Sequence, residues 1–306
     1  MKALISSGKG GIAVELAEVE EPNPADHELV VEVGAVAVNR GELRLLAARP
    51  RGWRPGQDVA GMVVVAARDG SGPGEGTRVA AWPEQAGWAQ RVAVPTANVA
   101  TLAPEVSVQQ AATLPIAGVT ALRLLRFGGD LTGKRVLVTG AAGGVGRFAV
   151  EIAARGGATV TGVTADRGRS AGLAELGADE VVHRLEDLDG PFDLILEAAG
   201  GPSLEAAVHL VSPGGDILVY GNSSDLPARI SFGDFRGHAG ARITGFFVYE
   251  SGDPPFGVDL QLLADMVAEG TLHPHVGLET DWGEANMVFE ALAQRRVNGK
   301  AVMLVD

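Results

Sequence analysis

Residues 135–146 read Arg135-Val-Leu-Val-Thr-Gly-Ala-Ala-Gly-Gly-Val-Gly146. Arg135–Thr139 is a short aliphatic, β-branched run, which predicts a buried strand, and a helical pattern over Gly144–Arg155 follows at once. The turn between them approximates G-x-G-x-x-G, with Ala141, Gly143 and Gly146 at the three glycine positions. Gly143 lets the backbone approach a pyrophosphate, and Gly146 lets the helix pack closely on the strand. The start of a helix also offers free N–H groups and a partial positive charge to phosphate oxygens. Strand, glycine turn and helix in this order predict dinucleotide binding at Gly140, Ala141, Ala142, Gly143, Gly144, Val145 and Gly146.

Downstream, strands and helices alternate. Strands are expected at Ala158–Val163, Glu180–Val182, Asp193–Glu197, Asp216–Tyr220 and Arg242–Phe247, with helices at Gly168–Leu176 and Ser203–Val211. That alternation implies an α/β fold, a doubly wound parallel sheet covered on both faces. Upstream lie short strands at Lys2–Ser6, His27–Asn39, Val59–Ala67, Thr77–Ala81, Trp88–Val94 and Val99–Leu102. Leu29, Val31, Val33, Ala35 and Ala37 alternate along the second of them, and no helix is expected among them. This predicts a mainly β, antiparallel, barrel-like domain. Ser107 is placed to cap a helix over Val108–Leu114, and Ala117–Phe127 is a second helix stopped by Gly128-Gly129. Helices near Val258–Glu269 and Glu284–Arg295 and a strand at Lys300–Val305 form a tail expected to return to the first domain.

The 306 residues are 46% hydrophobic, enough for two domains. A net charge of −13 argues against nucleic acid as a partner. The absence of cysteine excludes disulfides, thiolate zinc sites and thiol nucleophiles. The opening MKALISSGKGG has no apolar run before a small-residue cleavage site, and no apolar stretch reaches the length of a membrane span, so a cytoplasmic protein is expected.

Thr139–Gly146 also fits T-G-x-x-x-G-x-G, the short-chain dehydrogenase pattern. That family places the motif near the N-terminus and needs Tyr-x-x-x-Lys. Here Tyr220 and Tyr249 are followed four residues on by Ser224 and Asp253, which excludes it.

The chain instead resembles the zinc-independent quinone oxidoreductase branch of the medium-chain dehydrogenase/reductase superfamily. The likeness runs through Val38-Asn39, Pro55–Val63, Gly76–Ala80, Ala111–Leu122, the glycine turn, Leu176–Asp179, Gly214–Gly221, Gly270–Pro274 and Gly299-Lys300. It implies a GroES-like catalytic domain made of residues 1–115 and 249–306 around a Rossmann domain, 116–248, with the active site in the cleft between them. It further implies a homodimer paired through Arg242–Phe247. Zinc-dependent members carry Gly-His-Glu where this chain has Gly56-Gln57-Asp58, so no metal is expected, and His273-Pro-His275 is read as surface.

Thr164 stands where an NAD-preferring domain usually carries an acid, and Arg167 and Arg169 follow, which points to the 2′-phosphate of NADPH. Asp166 is left open between the ribose and an arginine partner. By resemblance, further cofactor contacts fall on Thr120, Arg184, Gly221, Asn222, Ser223, Phe246, Phe247, Val248 and Asn298. Without zinc, hydride transfer needs an electron-poor acceptor, a quinone or an α,β-unsaturated carbonyl. The candidate catalytic residues are Asn39, Arg44 and Thr120. Asn39 is read either as an orienting amide or as a turn asparagine. Arg44, where relatives often have tyrosine, is read either as binding an anionic group or as solvated. Trp53 and Trp82 are candidates to line the pocket. The competing functions are reduction of an enoyl thioester or other activated alkene, and a non-catalytic NADPH-binding role.

Overall fold

The computed structural model describes residues 1–8, 11–252 and 254–306; Lys9, Gly10 and Asp253 lie outside the described residues. The chain divides into two compact units, Met1–Val119 with Gly252–Asp306, and Thr120–Ser251.

In the first unit, β1 (Lys2–Ser6) pairs antiparallel with β2 (Val14–Glu18), a strand the sequence reading missed. β3 (Glu28–Val38) is the hub: it pairs with β4 (Asp58–Val65), β6 (Arg91–Pro95) and the last strand. Nearly all its side chains are buried, so the expected one-faced alternation is really a strand covered on both sides. Between β3 and β4 stands α1 (Arg40–Ala48), which contradicts the expectation of strands with no helix among them. Leu43 and Leu46 bury one face of it, Asn39 caps its start, and Pro50 lies two residues past its end. β5 (Arg78–Ala81), β7 (Val99–Thr101) and the Ser107-capped α2 (Val108–Ala112) follow. A wider π-type turn over Leu114–Gly118 leads into α3 (Val119–Phe127).

The second unit carries β8 (Arg135–Thr139), α4 (Gly144–Arg155), β9 (Thr159–Val163), β10 (Glu180–Val182), β11 (Phe192–Glu197), α5 (Pro202–Leu210), β12 (Val211–Val219) and β13 (Arg242–Gly245). The six strands are all parallel, in the order β10-β9-β8-β11-β12-β13. The expected helix over Gly168–Leu176 is absent. Only a short 3-10 turn, Arg167–Arg169, forms there, and Gly172 breaks any continuation with a φ of +78°.

The tail adds α6 (Phe256–Ala268), β14 (Val276–Asp281), α7 (Ala285–Ala293) and β15 (Lys300–Leu304) to the first unit. β15 pairs antiparallel with β3 and parallel with β14, which the sequence did not reveal. The tail also supplies the core: Trp88 and Phe289 stack at 5.3 Å between ring centres, and Trp282 is buried with them. Each such aromatic contributes about 2–3 kcal/mol through burial. Among the described residues, no helix is long and apolar enough to cross a membrane.

Candidate functional site

In the second unit, β8 lies where the strand order reverses, because its neighbours β9 and β11 continue the chain in opposite directions across the sheet. Ligands of open α/β sheets bind at that point, beyond the carboxyl ends of the strands. The turn Gly140–Gly146 leaves β8 there. Gly140 has a φ of +64°, and the Gly143 amide donates to its carbonyl at 2.9 Å. A side chain at Gly146 would collide with the backbone of Gly140 and Ala141, so helix and strand touch there. Gly146→Ala is therefore expected to destabilise the protein by about 1–3 kcal/mol, read from the urea unfolding midpoint. Ala141, in the first glycine position, is fully buried, and its methyl faces Gly162, where a side chain would stand only 3.1 Å away. The small departure from the glycine pattern is thus accommodated by a glycine on the next strand.

Thr164 is buried just past β9. Its hydroxyl donates to the Asp166 carbonyl at 3.4 Å, and its own carbonyl meets His183 Nδ1 at 2.9 Å. The Asp166 carboxylate caps the following turn by accepting the Gly168 amide at 2.8 Å. Arg167 is exposed, and Arg169 Nη2 reaches the Ala142 carbonyl at 3.5 Å, so the arginine turn folds toward the glycine turn. Arg147, on the first turns of α4, went unremarked in the sequence. It is buried, donates to the Ala171 carbonyl at 3.1 Å, and its Nε has no hydrogen-bond partner. Arg184 is exposed and pairs with Glu186 at 3.3 Å.

Beyond β11, buried Glu197 organises the adjoining loop. It accepts the Ala199 amide at 3.0 Å, the Gly200 amide at 2.8 Å and the Ser203 hydroxyl at 2.7 Å. The Thr139 hydroxyl donates to it at 3.1 Å and accepts the Ala198 amide at 2.8 Å. Burial raises the Tyr220 phenol above its ordinary range, so its protonated hydroxyl donates to the Thr139 carbonyl at 3.4 Å. Gly221, Asn222 and Ser223 follow β12 half-buried; the Ser223 amide donates to the Ala198 carbonyl at 3.0 Å, and Asn222 Oδ1 accepts the Ser224 hydroxyl at 3.0 Å. Past β13, Phe246 is half-buried, Phe247 exposed and Val248 buried; Thr120 is buried on α3.

The first unit holds a buried polar cluster whose members are far apart in sequence. Lys300 Nζ lies 2.7 Å from Asp58 Oδ2 and 2.7 Å from Asn39 Oδ1. Asn39 Nδ2 donates to Asp58 at 2.9 Å, and the Ile116 amide donates to the other Asp58 oxygen at 2.8 Å. Glu42 accepts the Asn39 amide at 2.8 Å and the Gln57 amide at 3.0 Å. Burial, reinforced by the Asp58 charge, pushes the Glu42 carboxyl up to about 8. The Asn39 amide is therefore engaged at both its oxygen and its nitrogen, which supplies partners for the turn-asparagine reading. Arg44 is exposed on α1. Trp53 is half-buried against the core, and Trp82 lies 4.4 Å from Phe256 between ring centres. Asn298 Oδ1 is buried without a hydrogen-bond partner. Glu42 and the Lys300–Asp58 contact were missed; the Asn39-x-x-Glu42 spacing, a helix-start signal, was the one clue available.

A family model described as zinc-binding dehydrogenase matches residues 176–303. The chain is 32% identical to a chloroplastic quinone oxidoreductase, QR1, of Triphysaria versicolor over 70% of this chain and 69% of that one. It is 31% identical to 2-methylene-furan-3-one reductase of Solanum lycopersicum over 72% and 62%. A quinone oxidoreductase of Thermus thermophilus, whose crystal structures include a complex with NADPH, superposes with a TM-score of 0.83 at 28% identity, covering 100% of both chains. A doubly wound sheet with this turn, combined with a GroES-like unit, defines a medium-chain dehydrogenase/reductase. The chain belongs to the quinone-oxidoreductase-like branch of that superfamily and is an oxidoreductase.

Proposed function

We propose that the protein is an NADPH-dependent reductase of quinones or α,β-unsaturated carbonyls that works without zinc. The observation that carries the reading is the glycine turn at the sheet's switch point, feeding a 12-residue helix and faced by Arg169. The fit to a dinucleotide rests on the tight Gly140–Gly146 backbone and the unsatisfied N–H groups that any helix start presents. Gly140–Gly146 would hold the pyrophosphate, Arg167 and Arg169 the 2′-phosphate, and Gly221–Ser223 with Phe246–Val248 the far half. The bound cofactor supplies hydride; the chain binds and orients it and keeps water away.

Metal independence is supported by the residues at the position of the zinc site. Gln57 is a poor ligand, and Asp58 already binds the Lys300 ammonium. An acceptor that is itself electron-poor needs no Lewis acid. The likeness to the Solanum lycopersicum 2-methylene-furan-3-one reductase supports an enone as the acceptor beside a quinone. Pairing of two copies through β13, an edge strand with exposed Ile243 and with Phe247 just beyond it, belongs to the same reading.

Cofactor oxidation with a panel of quinones and enones tests it. Turnover with NADPH in preference to NADH is expected. Saturable NADPH binding without turnover of any acceptor would favour the non-catalytic role. Arg167→Ala combined with Arg169→Ala is expected to weaken NADPH about tenfold or more, because a charged hydrogen bond contributes about 1.5–3 kcal/mol, and to leave NADH binding unchanged by calorimetry. Equal losses for both cofactors would remove these arginines from the phosphate site.

A further inference from the structure

Arg147 directly follows Gly146 and lies on the first turns of α4, within the second unit. It is only 7% exposed, and arginine rarely takes so buried a place unless it is paired. Desolvation lowers its guanidinium below the ordinary arginine range, and Glu151, one helical turn on, and Glu175 act against that shift. The group stays charged at neutral pH. Its donors are directed at the loop after β9. Nη1 donates to the Ala171 carbonyl at 3.1 Å, while Nε has no hydrogen-bond partner. A side chain at Gly172 would stand 2.8 Å from Nη2, so the glycine leaves the space that the guanidinium fills.

The loop that receives this contact carries Arg167 and Arg169. Short bonds set its shape: the Gly168 amide donates to the Asp166 carboxylate at 2.8 Å, and the Ser170 hydroxyl to the Arg167 carbonyl at 2.6 Å. Leu173, fully buried, anchors its far end. Two arginines then tie the loop to the strand, turn and helix that begin at β8. Arg169 Nη2 reaches the Ala142 carbonyl at 3.5 Å, and Arg147 reaches back from α4 to Ala171. A desolvated guanidinium with an idle N–H is a poor source of stability, and an unbranched apolar side chain would fill its volume without that penalty. What an apolar side chain would not do is hold the Ala171 carbonyl in place.

The geometry points to Arg147 as a positioning residue for cofactor selectivity. It holds the loop against α4 so that Arg167 and Arg169 stand ready for a 2′-phosphate, in fixed relation to the pyrophosphate turn. Arg147 is not itself a phosphate ligand, since Nη1 faces Ala171 and its charge faces Glu151 and Glu175. The inference rests on the NADPH reading above and adds the residue that makes the two arginines effective. Long side chains already in place lose less freedom on binding, so the same contacts give a tighter complex. A cofactor without the 2′-phosphate does not call on them, and its affinity is independent of the loop.

Calorimetric titration of the whole protein with NADPH and with NADH tests this. Arg147→Met keeps most of the volume and leaves buried Glu151 with Arg155, 3.9 Å away. It is expected to weaken NADPH about tenfold and NADH by no more than about twofold, with Arg147→Lys restoring part of the NADPH affinity. In protein already carrying Arg167→Ala and Arg169→Ala, the same substitution is expected to change NADPH affinity by no more than about twofold, because the groups it positions are gone. Gly172→Ala attacks the contact from the loop side by displacing the guanidinium, and is expected to lose the same preference; it decides the matter if Arg147→Met does not fold. Equal losses for NADPH and NADH, in step with a lower urea midpoint, would reduce Arg147 to a structural role and overturn the inference. A further NADPH loss on top of the double arginine variant would also overturn it. If the unaltered protein binds NADPH and NADH alike, the NADPH reading itself falls, whereas a preference that survives Arg147→Met removes the inference alone.

Discussion

Replacing Lys300 by methionine is expected to destabilise the protein by about 3–5 kcal/mol, seen as a large fall in the urea unfolding midpoint. The reason is the company the side chain keeps. Asp58 is fully buried, and the Lys300 ammonium, itself 4% exposed, is its counter-ion at 2.7 Å. Methionine fills the volume but leaves a buried carboxylate facing only the Asn39 amide and the Ile116 N–H. Adding Asp58→Asn to that variant removes the stranded charge, so the double variant is expected to regain most of the loss. A Lys300→Met protein as stable as the parent would show that the pair contributes nothing to the fold.

The second large effect is a pH dependence. Glu42 titrates near 8 in the folded protein and near 4.5 when exposed in the unfolded chain. Between those values the folded state holds a proton that the unfolded state has released, so stability falls as pH rises through this window and levels off above about 8. The contribution is fully present below about 4.5. From pH 6 to pH 8 the slope amounts to roughly 1.4 kcal/mol per unit, about 2–3 kcal/mol in all. Glu42→Gln cannot titrate. It starts less stable, because its amide group opposes one of the two N–H donors that Glu42 accepts, but its profile over the same interval is expected to be flat by comparison. Parallel profiles for the two proteins would mean that Glu42 is not the titrating group.

Both effects arise in the part of the molecule that was hardest to read in advance. The strand, glycine turn and helix were legible from the sequence, because their chemistry is local. Glycines at fixed offsets after an aliphatic strand dictate backbone approach and helix packing whatever surrounds them, and Gly144–Arg155 was placed to the residue. The Lys300–Asp58 contact joins positions 242 residues apart and depends on β15 pairing with β3, which no local pattern encodes. Helix α1 was hidden for a different reason. Its buried leucines are embedded among arginines, so propensity and periodicity disagreed, and only the Asn39–Glu42 cap announced it. At Gly168–Leu176 the failure ran the other way. Apolar spacing suggested a helix, but Gly172 takes a left-handed conformation, φ +78°, that side chains rarely adopt, and it lies beside the Arg147 guanidinium.

Hydride transfer from NADPH to an electron-poor acceptor without metal assistance underlies the whole functional reading. It is tested most directly by the NADPH oxidation rate with 1,4-naphthoquinone and with an enone, before and after exhaustive dialysis against a chelator. The expected result is an unchanged rate in protein whose bound zinc is far below one per chain. A rate that collapses on dialysis and returns on adding zinc would contradict it.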